Sequence, residues 1–150
     1  MRGRNDVILS HPETLMPTHF RLAEFENAEG LAMVHPEVLV ALEHVRDRLW
    51  QYQGEEVLII IHDAVRTQAD NERLAARLGW TDNGGLVSRD SKHLARYGGI
   101  AVDITAKTKA RRQIVPQDLL GRVCVQYFDF VKYDYADGHV HADMRGLLNQ

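Results

Sequence analysis

Two short stretches of this chain alternate apolar and polar residues so regularly that each reads as a strand with one buried face. In residues 99–105, Ile100, Val102 and Ile104 fall on one side, and Ala101, Asp103 and Thr105 on the other. In residues 139–144 the same period turns Val140, Ala142 and Met144 toward a core, and gathers His139, His141 and Asp143 on the opposite face. A chain with both patterns must build a sheet that is apolar on one side. Its other side then collects two carboxylates and two imidazoles within reach of solvent.

The remaining punctuation fills in the elements. Pro36 suits the first turn of a helix, and Val38, Leu39, Leu42, Val45 and Leu49 follow at three- and four-residue steps up to Trp50. The uninterrupted aliphatic run 57–61 reads as a central buried strand. Thr67 is a suitable N-cap for a helix that runs to Leu78 and stops at Gly79. Residues 80–92, with Asn83-Gly84-Gly85, read as an irregular insertion over one face. Pro116 starts a helix to about Tyr127, residues 130–133 form a strand, residues 134–138 a turn, and residues 21–25 a short helix. Helices and strands mixed without βαβ regularity predict an α+β fold, a small mostly antiparallel sheet with helices packed on one side.

With 150 residues the chain suits one domain, large enough for a core without disulfides or a structural metal. Residues 1–17 are expected to form a loosely packed N-terminal arm. Hydrophobic residues at 45% and charged residues at 26% exclude disordered and fibrous classes. Net charge is -3, and the one dense basic run, Lys107, Lys109, Arg111 and Arg112, lacks the interleaved aromatics that stack on bases. It reads as a solvated loop, and no nucleic-acid partner is expected. The single cysteine, Cys124, lies in an apolar stretch and reads as a buried, inert thiol. The apolar run Val7-Ile8-Leu9 is too short for a signal-peptide core, and no run approaches a membrane span. The expectation is therefore synthesis in the cytoplasm without membrane insertion.

The polar residues suggest chemistry. Ser91-Lys92-His93, Asp103 and His141 supply two imidazoles and one carboxylate, the donors of an open catalytic zinc site with one position left for water. His139 lies about 6–7 Å from His141 along the strand. His141 is taken as the ligand and His139 as a neighbouring imidazole that bonds the reacting carbonyl or shuttles a proton. Asp143 either orients a ligand histidine or pairs with Arg145. Arg66 either binds a substrate carboxylate or oxyanion, or pairs at the helix start with Asp63 or Asp70. The same donors also serve iron oxygenases, but those draw a histidine and their carboxylate from one tight His-x-Asp/Glu step, which the set His93, Asp103 and His141 does not contain.

These residues resemble the zinc D-alanyl-D-alanine carboxypeptidases, whose fold is shared with the hedgehog signalling domain and with phage L-alanyl-D-glutamate endopeptidases. The family pattern is Ser-x-His, Gly-x-Ala-x-Asp and a late His-x-His or His-Val-Asp. It is met in order by Ser91-x-His93, Gly99-x-Ala101-x-Asp103 and His139-x-His141-x-Asp143. Val65-Arg66-Thr67 with Asn71 resembles the family's Tyr-Arg-Thr and asparagine, and residues 19–25 resemble its opening His-Phe-x-Leu-x-Glu-Phe. The likeness runs from about residue 18 to 146.

The resemblance implies His93, Asp103 and His141 as ligands of one zinc ion, Arg66 and Ser91 as substrate contacts, and His139 beside the reaction centre. It implies hydrolysis of peptide bonds involving D-amino acids in peptidoglycan stem peptides, by a phage- or prophage-derived enzyme that is carried to the wall or periplasm. Three departures mark this chain. Asp63-Ala64-Val65-Arg66 stands in place of the family's usual Ser-Gly-Tyr-Arg, and the loop before Ser91 is long. Nine residues separate His93 from Asp103 where the family commonly has six, so residues 94–98 must bulge. Gly138 stands where many members carry the acidic general base, which leaves Asp137 as the candidate base and His139 as runner-up. A relative lacking a working base would be a metal-binding module without catalysis, such as a phage structural or wall-binding component.

Overall fold

The computed structural model describes residues 6–8 and 15–149. Of the expected N-terminal arm, residues 6–8 and 15–17 are described as an antiparallel pair, β1 (Asp6–Ile8) and β2 (Leu15–Pro17). The rest of that arm lies outside the described residues.

The main sheet has four strands, β3 (Val57–Asp63), β4 (Ala101–Thr108), β5 (Phe130–Lys132) and β6 (Val140–Asp143), in the order β3-β4-β6-β5. Every neighbouring pair is antiparallel. Two helices cover one face. α1 (Pro36–Gln53) lies against β3, and α3 (Gln117–Val125) lies against β4, β5, β6 and α1. α1 begins where His35 accepts from the Glu37 amide with Pro36 in the first turn, and it ends on Gly54 in the left-handed region. Val38, Leu39, Leu42, Val45 and Leu49 project from it at helical spacing into a core with Ile100, Val102, Ile104, Leu120, Val140 and Ala142. The alternation in β4 and β6 thus turns their aliphatics to the helices and their polar residues to the other face.

The α+β architecture and the antiparallel sheet agree with the sequence expectation, with two corrections. The run 57–61 forms an edge strand rather than a central one. Its burial alternates, with Val57 and Ile59 under α1 and Leu58 and Ile60 half-covered on the far side. Aliphatic composition records that both faces are at least partly covered, and says nothing about how many strands lie alongside. The second correction concerns α2 (Gln68–Leu78), which leaves the helical layer and stands at the rim of the polar face. Its start is fixed by a reciprocal cap. Thr67 accepts from the Asp70 amide, and Asp70 accepts from the Thr67 amide.

The loop 80–92 is ordered by backbone bonds, among them Thr81 N–H to Val87 O and Gly85 N–H to Trp80 O. The bulge expected after His93 is a 3-10 turn, Ala95–Tyr97. Of the basic run, Lys107 lies in β4, while Lys109 and Arg111 pair with Glu56 and Glu55. Cys124 is fully buried, and burial pushes its thiol up to about 12. Among the described residues, no helix is long and apolar enough to cross a membrane.

Gly99, just before β4, is fastened to the segment that leads into α1. Its carbonyl accepts from the His35 amide at 2.9 Å, its φ is +77°, and a β-carbon there would stand 2.9 Å from Val34 backbone atoms. Gly99→Ala should cost about 1–3 kcal/mol for the strained backbone and about 1–3 kcal/mol more for overpacking. Urea unfolding of the variant would show a lower midpoint at unchanged slope; equal midpoints would refute this account of Gly99.

Candidate metal centre

β4 and β6 pair with Asp103 directly opposite His141, so register alone sets the carboxylate beside the imidazole on the polar face. His93 arrives from the loop that follows α2. That loop is fastened to the segment before α2, where the Arg66 amide donates to His93 O at 2.7 Å and the Ala95 amide to Arg66 O at 2.8 Å. The ring of His93 is then aimed by its own Nδ1–H, which donates to the Ala64 carbonyl at 2.6 Å.

Three donor atoms converge. His93 Nε2 lies 3.1 Å from Asp103 Oδ1 and 3.2 Å from His141 Nδ1, and His141 Nδ1 lies 3.0 Å from the same carboxylate oxygen. All three residues are buried. Bonds of about 2.0–2.1 Å in a tetrahedral zinc site put ligand atoms about 3.3 Å apart, close to these separations. The ring protons are committed elsewhere. His93 Nδ1–H points to Ala64 O, and His141 Nε2–H donates to Asp143 Oδ2 at 2.7 Å. With both rings neutral, two nitrogen lone pairs and a carboxylate oxygen face one another with no proton between them. A cation relieves that repulsion, and outward-facing N–H groups held by a carbonyl and a carboxylate are how metal-binding histidines are oriented.

Burial works to raise the pKa of Asp103, and the two imidazoles more than reverse it, holding the carboxyl well below the usual range. Burial disfavours a charged His141, but Asp103 and Asp143 outweigh it and lift its pKa above the ordinary value. For Asp143, burial is likewise overcome by His141 and Arg145, and its pKa falls to about 2. Asp143 therefore does both things weighed for it, holding His141 and pairing with Arg145 at 2.8–2.9 Å.

Around the triad opens a cleft of about 710 Å³. His139 stands in it beyond the donor group, with Nε2 3.8 Å from Asp103 Oδ2. Its Nδ1–H donates to Asp137 Oδ1 at 2.5 Å, and the Tyr135 ring stacks on it at 3.9 Å. Asp137 itself is largely exposed, lines the cleft and pairs with His139 there. Burial and the negative charge of Asp103 push the Tyr135 phenol up to about 12, so it stays protonated at neutral pH.

Arg66 donates from Nε to Asp63 Oδ2 at 2.7 Å and from Nη1 to Asn71 Oδ1 and Ser91 Oγ, and its Nη2 lies 3.7 Å from Asp103 Oδ2. The helix-start pairing with Asp63 is thus present, and it braces a guanidinium that also lines the cleft. Ser91 accepts from Arg66 and from the His93 amide, which makes it a fastener of both.

Sequence reading missed three contributors. The Ala64 carbonyl is a backbone group without a side-chain signature. Tyr135 lay in a stretch read only as a turn. Gln117, whose amide donates to both Tyr135 O and His139 O, is twenty-two residues from His139.

The buried triad is close enough to bind one metal ion, and its donors are ones that zinc accepts. No family model matches the chain, and no curated protein or solved structure matches it.

At a pH below the raised pKa of His141, an ion entering this site must displace the proton that the ring then carries toward Asp103. Because that pKa is raised, affinity should be greatest above it and fall as pH drops through it, with protons released on binding. Zinc titrations by calorimetry in buffers of differing ionisation enthalpy measure the release; a pH-independent affinity with no proton release would contradict the geometry drawn above.

Proposed function

We propose that this chain is a zinc-dependent peptidase of the D-alanyl-D-alanine carboxypeptidase and L-alanyl-D-glutamate endopeptidase type, with the hedgehog-type fold, acting on peptide bonds of peptidoglycan stem peptides. The observation that carries the proposal is the convergence of the His93, Asp103 and His141 donors on one point at the floor of an open cleft, with both ring protons directed away. The motif order along the chain supplies the substrate class. Action at the cell wall, and phage or prophage origin, belong to the same proposal.

Zinc held there supplies Lewis acidity and a water acidified toward neutrality, which amide hydrolysis needs at physiological pH. The chain's own residues do the rest. His139 takes a proton at Nε2 and returns it to the leaving amine, while Asp137 holds Nδ1–H and stabilises the imidazolium. This ranks His139 ahead of Asp137 as base, because the Asp137 carboxylate is occupied by His139 and sits at the rim. Arg66, kept in place by Asp63 and Ser91, offers positive charge to a substrate carboxylate or to the developing oxyanion. Tyr135 fixes the plane of the His139 ring by stacking.

Purified protein should carry about one zinc per chain and release D-alanine or peptides from muropeptides, with chelation abolishing the release. Elemental analysis separates zinc from iron, and a zinc-loaded protein inert on every wall peptide would leave the non-catalytic module in its place. His139→Ala should lower kcat about 10²–10⁴-fold at unchanged zinc content. Equal activity in that variant would remove His139 from the chemistry.

A further inference from the structure

Two ring protons orient the two imidazoles of the triad, and their partners differ in kind. His93 is held by Ala64 O, a carbonyl fixed by the chain itself. His141 is held by Asp143, a side chain that rotates about its own bonds and is fully buried. A buried carboxylate needs its remaining lone pairs met, or it turns to find other donors. One residue meets them. Arg145 donates Nε–H to Asp143 Oδ1 at 2.9 Å and Nη2–H to Oδ2 at 2.8 Å, a two-point fork, and its backbone N–H adds a third bond to Oδ1 at 3.0 Å. The guanidinium is pinned in turn, with its carbon 3.7 Å from the centre of the Phe130 ring.

We infer that Arg145 is a positioning residue for the metal centre: through Asp143 it fixes which nitrogen of His141 carries the proton and so keeps Nδ1 as the free donor facing His93 and Asp103. Rotation of the Asp143 carboxylate is blocked because both oxygens are engaged by a planar fork, a geometry that lysine's single ammonium cannot reproduce. Without the fork, Asp143 Oδ2 loses its fixed place opposite His141 Nε2. The tautomer with hydrogen on Nδ1 then becomes accessible, and in that form the ring presents a proton where the ion belongs. Arg145 touches neither the ion's position nor the other two ligands, so its effect must pass through Asp143 and His141.

The inference rests on the metal reading, and the test keeps the two apart. In metal-free protein at a pH where His141 is neutral, long-range proton–nitrogen NMR spectra read its tautomer directly. Wild type should show hydrogen on Nε2, and Arg145→Ala a mixture of both forms. Zinc affinity, measured by competition with a chromophoric chelator, should weaken about 10–100-fold in Arg145→Ala, the range typical for loss of an outer partner of a metal ligand. Arg145→Lys should recover only part of it, and cobalt substitution should show an altered visible spectrum in both variants. A thermal melt on each sample reports folding. Folded Arg145→Ala with wild-type tautomer and wild-type zinc affinity would overturn the inference; if that variant does not fold, wild-type affinity in Arg145→Lys overturns it instead. A wild-type protein that binds no zinc would defeat the metal reading alone, since the tautomer comparison needs no ion.

Discussion

The pairing of Asp103 with His141 across β4 and β6 is the contact on which the candidate site depends. Because side chains alternate along a strand, a slip of one residue would send Asp103 or His141 into the helical core and bring Val102 or Val140 to the polar face. The core forbids that slip. Ile100, Val102, Ile104, Val140 and Ala142 are buried against α1 and α3, and exposing them would sacrifice burial worth about 1.5–3 kcal/mol for each large aliphatic. Apolar packing on one face thereby fixes the polar geometry on the other to within the tolerance that coordination requires.

The third donor is held differently. His93 belongs to no strand, and it reaches the site through a short backbone bridge between the segments around Arg66 and Leu94, with the Ala64 carbonyl setting its ring. The same bridge brings Arg66 to the carboxylate side of the triad. The nine residues between His93 and Asp103 are absorbed by the 3-10 turn at Ala95–Tyr97 and by Gly98 and Gly99, both at positive φ, before β4 begins. The longer spacing is thus compatible with convergence of the three donors.

What could be read from the chain follows the period of its patterns. Period-2 alternation located β4, β6 and their polar faces, and the helical spacing after Pro36 located α1, because burial on one side writes itself into every second or every third and fourth residue. The position of β3 at the sheet edge was illegible, since an aliphatic run reflects the covering of faces and not the count of neighbours. The stand of α2 away from the helical layer was illegible too, because its caps are local and its docking is not. Within the site, His93, Asp103 and His141 were legible as side chains with ligating chemistry. Their supports were less so: a carbonyl at Ala64, an amide at Gln117 and a ring at Tyr135 acquire meaning only when distant segments meet.

Gln117 gives the site an unequal architecture. Its single amide ties the carbonyls of Tyr135 and His139 to the first turn of α3, so the turn bearing the His139 imidazole is moored to the helical layer. Asp103 and His141 are moored to the sheet, and His93 to the backbone bridge beside Leu94. The three donors and the turn that carries His139 are therefore anchored in separate parts of one small molecule. Over evolutionary time, drift confined to position 117 can loosen the second while sparing the first, so that, on the proposed function, a lineage on this scaffold has a short route from cutting a ligand to merely holding one.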